Sequence, residues 1–324
     1  MKYPLPTQSS QPEPLPANIP SIQPGGGVCY RIELAWGSFR RWYLKLFRPG
    51  YVKRMSDLRK GSPAGCPHEV LDPRDLKYFR NQCHCHWPAE YDQFAWRDRL
   101  PFARWGLAEL QIFSYPLLAA IVALALTNYW YLAIVPAVLL GLVVYFFRDP
   151  PRRVPTEAGL VVSPADGKIA EVTRLAHDEF LGGPAVRIGI FLSIFNVHIN
   201  RFPRGGRVLA LRYSPGEFLN ALKPESAIHN ENMWIGFEST EQPPHRFVVR
   251  QIAGAIARRI VCDLRPGEMV VRGDKFGMIK FGSRTELIVP DEPGLEILVK
   301  PGDKLQGGAT VLCRYPDELT KPFA

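Results

Sequence analysis

Charge of either sign is missing from Phe113 to Phe147, 35 residues reading FSYPLLAAIVALALTNYWYLAIVPAVLLGLVVYFF. That absence excludes an ordinary solvent-exposed helix. One bilayer crossing takes about 20 apolar residues, so the run is too long for one and slightly short for two. Asn128-Tyr129 near its middle offers a turn, so the sequence predicts two short spans, 112–127 and 130–147, as a helical hairpin within 111–148. The competing reading is a helical pair buried in a soluble core. Arg99 and Arg104 precede the run and Arg148, Arg152 and Arg153 follow it. Basic residues on both flanks put both ends in the cytoplasm, as an even number of crossings requires. Starting beyond residue 110, the run is not a signal peptide. Cysteine is also sparse. The six residues, at 29, 66, 83, 85, 262 and 313, show no disulfide framework, which fits a reducing cytoplasm.

Acidic residues are scarce where basic ones are dense. From Arg31 to Lys60 nine lysines and arginines face only Glu33 and Asp57. Such a run suits nucleic acid or an anionic membrane face. The neighbouring apolar run selects lipid, and no nucleic-acid partner is expected. Trp36, Phe39, Trp42, Tyr43 and Phe47 lie among these charges, as in a segment resting on a bilayer surface.

A hydrophobic content of 46% supports a real core. Residues 1–27, rich in Pro, Ser, Gln and Gly, predict a disordered tail. Residues 28–110 form a basic, aromatic and Cys/His-rich accessory region. From Leu160 onward short β-rich runs alternate with turn signals, which predicts an α+β protein, mainly β, with barrel-sandwich-like hairpins after the helical hairpin. PGEMVVRG (Pro266–Gly273) and PGDKLQGG (Pro301–Gly308) form a weak repeat, each a tight turn feeding a hairpin. Biotinyl and lipoyl carriers use such hairpins, so a membrane-anchored carrier with Lys275 displayed at a tip is an alternative.

Three places carry candidate chemistry, each with a plain structural explanation. Asp166 in SPADGKI sits in a common turn pair. His198 in FLSIFNVHINRFP reads as near the end of an apolar strand, where alternation puts Leu192, Ile194, Asn196, His198 and Asn200 on one face. Gly282-Ser283 interrupts GMIKFGSRTELIVP, otherwise one hydrophobic strand, as a bulge does. Together with FFRDPPRRVP, HNENMWIGFES and RQIAGAIARRIVC, in that order over Tyr145 to Pro290, they resemble the shorter, archaeal-type form of the phosphatidylserine decarboxylase family. The first 110 residues depart from that family's short N-terminus, while the cleavage motif reads Phe-Gly-Ser-Arg, as in the shorter form, rather than the Leu-Gly-Ser-Thr of the longer one.

The resemblance implies a pyruvoyl decarboxylase domain over 149–324 that makes its own cofactor. Ser283 Oγ attacks the Gly282 carbonyl, and β-elimination then releases a chain ending at Gly282. The dehydroalanine left at 283 hydrolyses to a pyruvoyl group. His198 is implied as the base and Asp166 as its orienter. The ketone then forms a Schiff base with the substrate amine and accepts electrons as CO2 leaves, with His198 reprotonating the carbanion. Asn230, Glu231 and Asn232 fall in the stretch matching the family's Asn-Glu-Arg segment, and Arg201 and Arg204 are candidates for the lipid phosphate. The implied partner is a phospholipid in the inner membrane, met on its cytoplasmic face. The two cleaved chains stay associated, and a homo-oligomer is compatible with the sequence. GCPHEV and NQCHCHW add Cys66, His68, Cys83, His84, Cys85 and His86, dense enough to suggest a structural zinc on Cys66, His68, Cys83 and Cys85. Free thiols are the alternative, and decarboxylation needs no metal.

Overall fold

The computed structural model describes residues 11–220, 225–241, 244–255, 259–280 and 282–316. Helix α1 (Val28–Phe47) is followed directly by α2 (Pro49–Leu58), whose opening proline has no amide hydrogen to leave unsatisfied. Trp36, Phe39, Trp42 and Phe47 of α1 are exposed, while Arg40 and Arg41 turn to the buried Asp75. The short strands Lys60–Ser62 and His84–His86 then pair antiparallel.

Helices α3 (Leu107–Ala125) and α4 (Ile134–Phe146) pack against each other across a 3-10 turn at Trp130–Ala133. The turn falls where Asn128-Tyr129 predicts it. The roots of the two helices are laced together: the Ala103 amide donates to the Phe147 carbonyl at 2.7 Å and the Asp149 amide to the Pro101 carbonyl at 2.8 Å. One helix, Arg104–Ala125, is long and apolar enough to cross a membrane, and Trp130–Phe146 is shorter. Only 11% of the apolar stretch of the first helix is buried, so that helix is not a core element of the described fold.

The remaining half is mainly β. An eight-stranded antiparallel sheet runs in the order Met269–Val270, Gly206–Ser214, Asn232–Ser239, Arg246–Ile252, Ser283–Pro290, Gly183–Leu192, Gly167–Asp178, Lys304–Leu305. A three-stranded sheet orders Arg259–Cys262, Lys275–Lys280 and Ile199–Arg201, and another orders Glu296–Ile297, Val311–Arg314 and Leu160–Val162. The main core draws on all three, from Val161 through Ile188, Phe237, Val249, Ile260 and Leu287 to Leu312. The two Pro-Gly repeats supply the two-residue strands at opposite edges of the large sheet. In both, the two glycines of the repeat adopt positive φ: Gly267 and Gly273 in one, Gly302 and Gly308 in the other. Edge strands this short leave little unpaired backbone for another chain to dock on.

Two sequence expectations are corrected, and the structure adds how the accessory region packs. The tail is one: residues 1–10 lie outside the described residues, but from Gln11 the segment is built in. Ile19 and Ile22 are each 1% exposed and enter different cores, and the Ile22 backbone bonds to Tyr78 and Cys262. Low hydrophobicity did not prevent docking, because other elements supply the rest of each core. The accessory region likewise shares a core with the β half: Met55, Tyr78, Trp87 and Trp105 cluster with Phe146, Phe147, Val197, Ile199, Val261 and Met278. Finally, neither long apolar stretch is one strand. Gly183–Leu192 ends at a turn in which Asn196 Oδ1 accepts from the Ser193 amide and hydroxyl, so the expected alternation through His198 breaks and Ile194 is exposed. GMIKFGSRTELIVP divides into Lys275–Lys280 in the small sheet and Ser283–Pro290 in the large one.

Candidate active site

Both divisions fall at the same place. One chain segment leaves the large sheet at Leu192 and enters the small one at Ile199; the other leaves the small sheet at Lys280 and enters the large one at Ser283. Ser283 pairs with Leu192 and Met278 with Ile199, so the two crossings lie side by side. Gly282 makes the second crossing at φ +61, a left-handed conformation that costs glycine little and other residues more. A Cβ built there would meet only Ile194 Cγ2, at 3.9 Å, so the backbone of Gly282 is open to approach.

Ser283 is wholly buried, and its Oγ has no hydrogen-bond partner among the described residues. A buried hydroxyl without a partner forfeits about 1–3 kcal/mol, so the site holds a reactive group that the fold does not satisfy. His198 stands beside it: its Nε2 accepts the Gly282 amide at 3.1 Å, and its Nδ1 donates to the Asn196 carbonyl at 2.9 Å. The Asn196 carbonyl can only accept and the Gly282 amide can only donate, so the ring is the neutral Nδ1–H tautomer with its Nε2 lone pair on the Gly282 N–H, one peptide before the 282–283 bond. Burial drives the His198 pKa down to about 4, helped by the Arg148 charge and opposed by the Asn196 hydrogen bond. An imidazole held in this way is unprotonated at every physiological pH.

The same burial makes a pH prediction. The folded-state value near 4 lies below the ordinary 6.5, so the unfolded chain takes up a proton that the folded chain refuses. Stability contributed by His198 is complete above about pH 6.5 and is lost as pH falls toward 4, by at most about 3 kcal/mol. Thermal melts from pH 7 to pH 4 should show this loss, and His198→Leu should remove that part of it.

The other sequence candidates are engaged elsewhere. Asp166 makes no hydrogen bond to His198 among the described residues. Its carboxylate takes Arg152 Nη2 at 2.7 and 2.9 Å and the Gly307 amide at 2.7 Å. Asn196 and Phe146 hold the imidazole instead, the Phe146 ring lying 4.4 Å from it, centroid to centroid. Arg201 is buried against Asp149 at 2.9 Å and the Gly273 carbonyl at 3.2 Å. Arg204 pairs with Glu241 at 2.6 Å. Asn230 spends its amide on the backbone of Leu219 and Ala253, and Asn232 donates to the Asn230 carbonyl. Glu231 is 2% exposed, accepts from the Tyr213 hydroxyl at 3.3 Å and lies beneath Gly25. Burial raises its pKa, against the opposing charge of Arg259.

Sequence reasoning missed the polar groups flanking Ser283. Asn200, buried, donates to Thr285 Oγ1 at 3.1 Å and accepts from Gln251 at 2.9 Å. Arg284 and Arg250 both bond to Glu286, which is 0% exposed. The signal was available in Arg284-Thr285-Glu286, three polar residues in a row inside a run that otherwise reads as buried strand.

The zinc expectation is also corrected. The pairing of Lys60–Ser62 with His84–His86 brings Cys66 and Cys83 to a Cα separation of 5.2 Å, and they form a disulfide. No group of three or more His, Cys, Asp or Glu suited to a metal occurs among the described residues. Cys85 is buried between the exposed His84 and His86, as strand alternation requires. The bridge also overturns the expectation of uniformly free thiols.

A family model for phosphatidylserine decarboxylase matches residues 139–313. The phosphatidylserine decarboxylase proenzyme of Rhodopirellula baltica is 48% identical over 241 residues, covering 74% of this chain and 99% of the relative. That of Symbiobacterium thermophilum is 44% identical over 206 residues, covering 63% and 94%. That of Chlorobium chlorochromatii is 44% identical over 180 residues, covering 55% and 81%. The chain belongs to the phosphatidylserine decarboxylase family.

Proposed function

We propose that this chain decarboxylates phosphatidylserine to phosphatidylethanolamine, using a pyruvoyl group made from its own Ser283. The observation that carries the reading is the unpartnered Ser283 Oγ next to the open Gly282 backbone, with a neutral His198 accepting the Gly282 amide hydrogen one peptide earlier. His198 takes the hydroxyl proton as Oγ bonds to the Gly282 carbonyl carbon and the C–N bond breaks, leaving an ester and a free amine at 283. Loss of the 283 Cα proton then breaks the Cβ–O bond and releases Gly282 as a carboxylate. Water replaces the remaining nitrogen as ammonia and leaves a ketone. When formed, the pyruvoyl group supplies an electron sink, linked to the substrate amine, for the electrons left by departing CO2. His198 returns the proton to the substrate carbon.

The buried Ser283, the void of partners at its Oγ and the absence of a Gly282 side chain fit a pyruvoyl group there. The two cleaved chains hold together because Ser283–Pro290 pairs with Gly183–Leu192 along its length and with Arg246–Ile252 on its other edge. We keep none of Arg201, Asn230 and Glu231 as headgroup contacts, since each is committed inside the fold. Ile194 and Phe195, exposed beside Gly282, give the site an apolar rim suited to a lipid. In this reading α3 and α4 enter the bilayer and the basic flanks favour its cytoplasmic face. The Cys66–Cys83 bridge speaks against that side. Alkylating thiols in fresh lysates with and without prior reduction decides it, since a reducing compartment leaves both cysteines open to the reagent.

The carrier alternative is not favoured. Lys275 is the first residue of an internal strand and pairs with Asp149, rather than standing at a hairpin tip. Mass measurement on a denaturing gel should find one fragment ending at Gly282 and another beginning at 283 with a blocked terminus. Active preparations should release CO2 from phosphatidylserine in vesicles and not from free serine. An intact chain in an active preparation sinks the proposal.

A further inference from the structure

The roots of the two apolar helices reach the candidate cleavage site from opposite sides. Glu109, in the first turn of α3, forms an ion pair with Lys280, and both side chains are about nine-tenths or more buried, at 6% and 5% exposure. Lys280 ends the small-sheet strand two residues before Gly282 and also donates to Gln23 Oε1 at 3.1 Å. At the other root, Phe146, the last residue of α4, covers the His198 ring at 4.4 Å with an interplanar angle of 37°. Arg148, just beyond, donates to the Phe195 carbonyl at 2.8 Å, which fixes the turn carrying His198. The backbone lacing between Ala103 and Phe147, and between Asp149 and Pro101, makes the two roots one unit.

We propose, resting on the self-cleavage reading above, that this root is part of the cleavage machinery: Phe146 positions the His198 imidazole, and Glu109, through Lys280, positions the strand that delivers the Gly282 carbonyl. Neither touches the reacting atoms, so both are positioning residues. The geometry explains why a buried ion pair is tolerated here. Such pairs contribute little net stability, while removing one partner strands the other charge. This pair instead fixes where the strand ends relative to α3. The consequence is that maturation depends on how α3 and α4 are seated, which couples self-cleavage to their insertion.

The test uses the full-length chain made by cell-free synthesis with vesicles of phosphatidylcholine and phosphatidylglycerol. Conversion to two fragments is followed over time from pH 4 to pH 8. Arg148 is the charged group acting on the imidazole, with the Asn196 carbonyl and Gly282 amide as its polar contacts, so it is left intact throughout. Phe146→Leu keeps an apolar side chain but removes the ring. It should slow conversion about tenfold and move the midpoint of the pH profile upward by about one unit, as water reaches the imidazole. Phe146→Tyr, which restores the ring, should return both to the wild-type values. Glu109→Gln should slow conversion without moving the midpoint, and Glu109→Met combined with Lys280→Met should recover it by replacing the pair with apolar packing. Wild-type rates and midpoint in Phe146→Leu and Glu109→Gln overturn the proposal, as does a Phe146→Tyr or double-Met protein that stays as slow as the single variants. Ser283→Ala runs alongside: if it cleaves, the self-cleavage reading itself has failed, independently of the root.

Discussion

Ser283→Ala yields one uncleaved chain of 36.6 kDa without decarboxylase activity. The change removes a single buried oxygen that has no hydrogen-bond partner among the described residues. Losing an unsatisfied hydroxyl leaves no orphaned partner behind, so the fold should be as stable as before or slightly more so. Activity should fall to background because the hydroxyl is both the proposed nucleophile and the group whose elimination lets the Cα become a ketone. The combination separates chemistry from folding: a variant that melts at or above the wild-type temperature and yet remains one band and inactive. Parallel loss of stability and cleavage would mean that Ser283 acts only through the fold.

Glu286→Leu should be the most damaging change to the fold itself. Glu286 is fully buried in the central strand, with Arg284 Nε at 3.0 Å and Arg250 Nη1 at 2.8 Å. Removing the carboxylate leaves Arg250 without its charge partner and Arg284 with Glu171 alone. Stranding a buried charge costs about 3–5 kcal/mol. For a chain of this size that lowers the melting temperature by roughly 10 °C. The exposed pair Lys45–Glu69 is the control, since breaking it should cost under about 1 kcal/mol. A Glu286→Leu protein that melts with the wild type would show that the strand's charges do not depend on one another. Because Arg284 follows Ser283 directly, slower cleavage is also expected.

What the sequence made legible was local placement. The structure brings His198 against the Gly282 amide, next in sequence to Ser283, and the apolar run folds into two packed helices with its turn at the expected place. What it hid depended on tertiary neighbours. Asp166 looked like the orienter, but the fold gives its carboxylate to Arg152 and Gly307 and gives the imidazole to the Asn196 carbonyl, a backbone group that no side-chain motif advertises. The first 27 residues looked unable to bury anything. Ile19 and Ile22 were enough, because the cores they enter are completed by residues far along the chain. Dense Cys and His read as metal ligands until strand pairing set two of the sulfurs side by side. Arg201 and Asn230 read as ligand contacts and are internal clamps.

The side-by-side crossings have one more consequence. At that seam two backbone segments join the large sheet to the small one, and the proposed cleavage after Gly282 would cut one of them while the turn Ser193–His198 stays whole. The uncut segment carries His198, which would keep its tether. The cut segment would become two loose ends, a carboxylate at 282 and a ketone at 283, no longer bound to follow each other. Maturation at this seam would then make a doorway as well as a cofactor: the reactive carbon would gain an entrance at the point where the backbone had been closed across it.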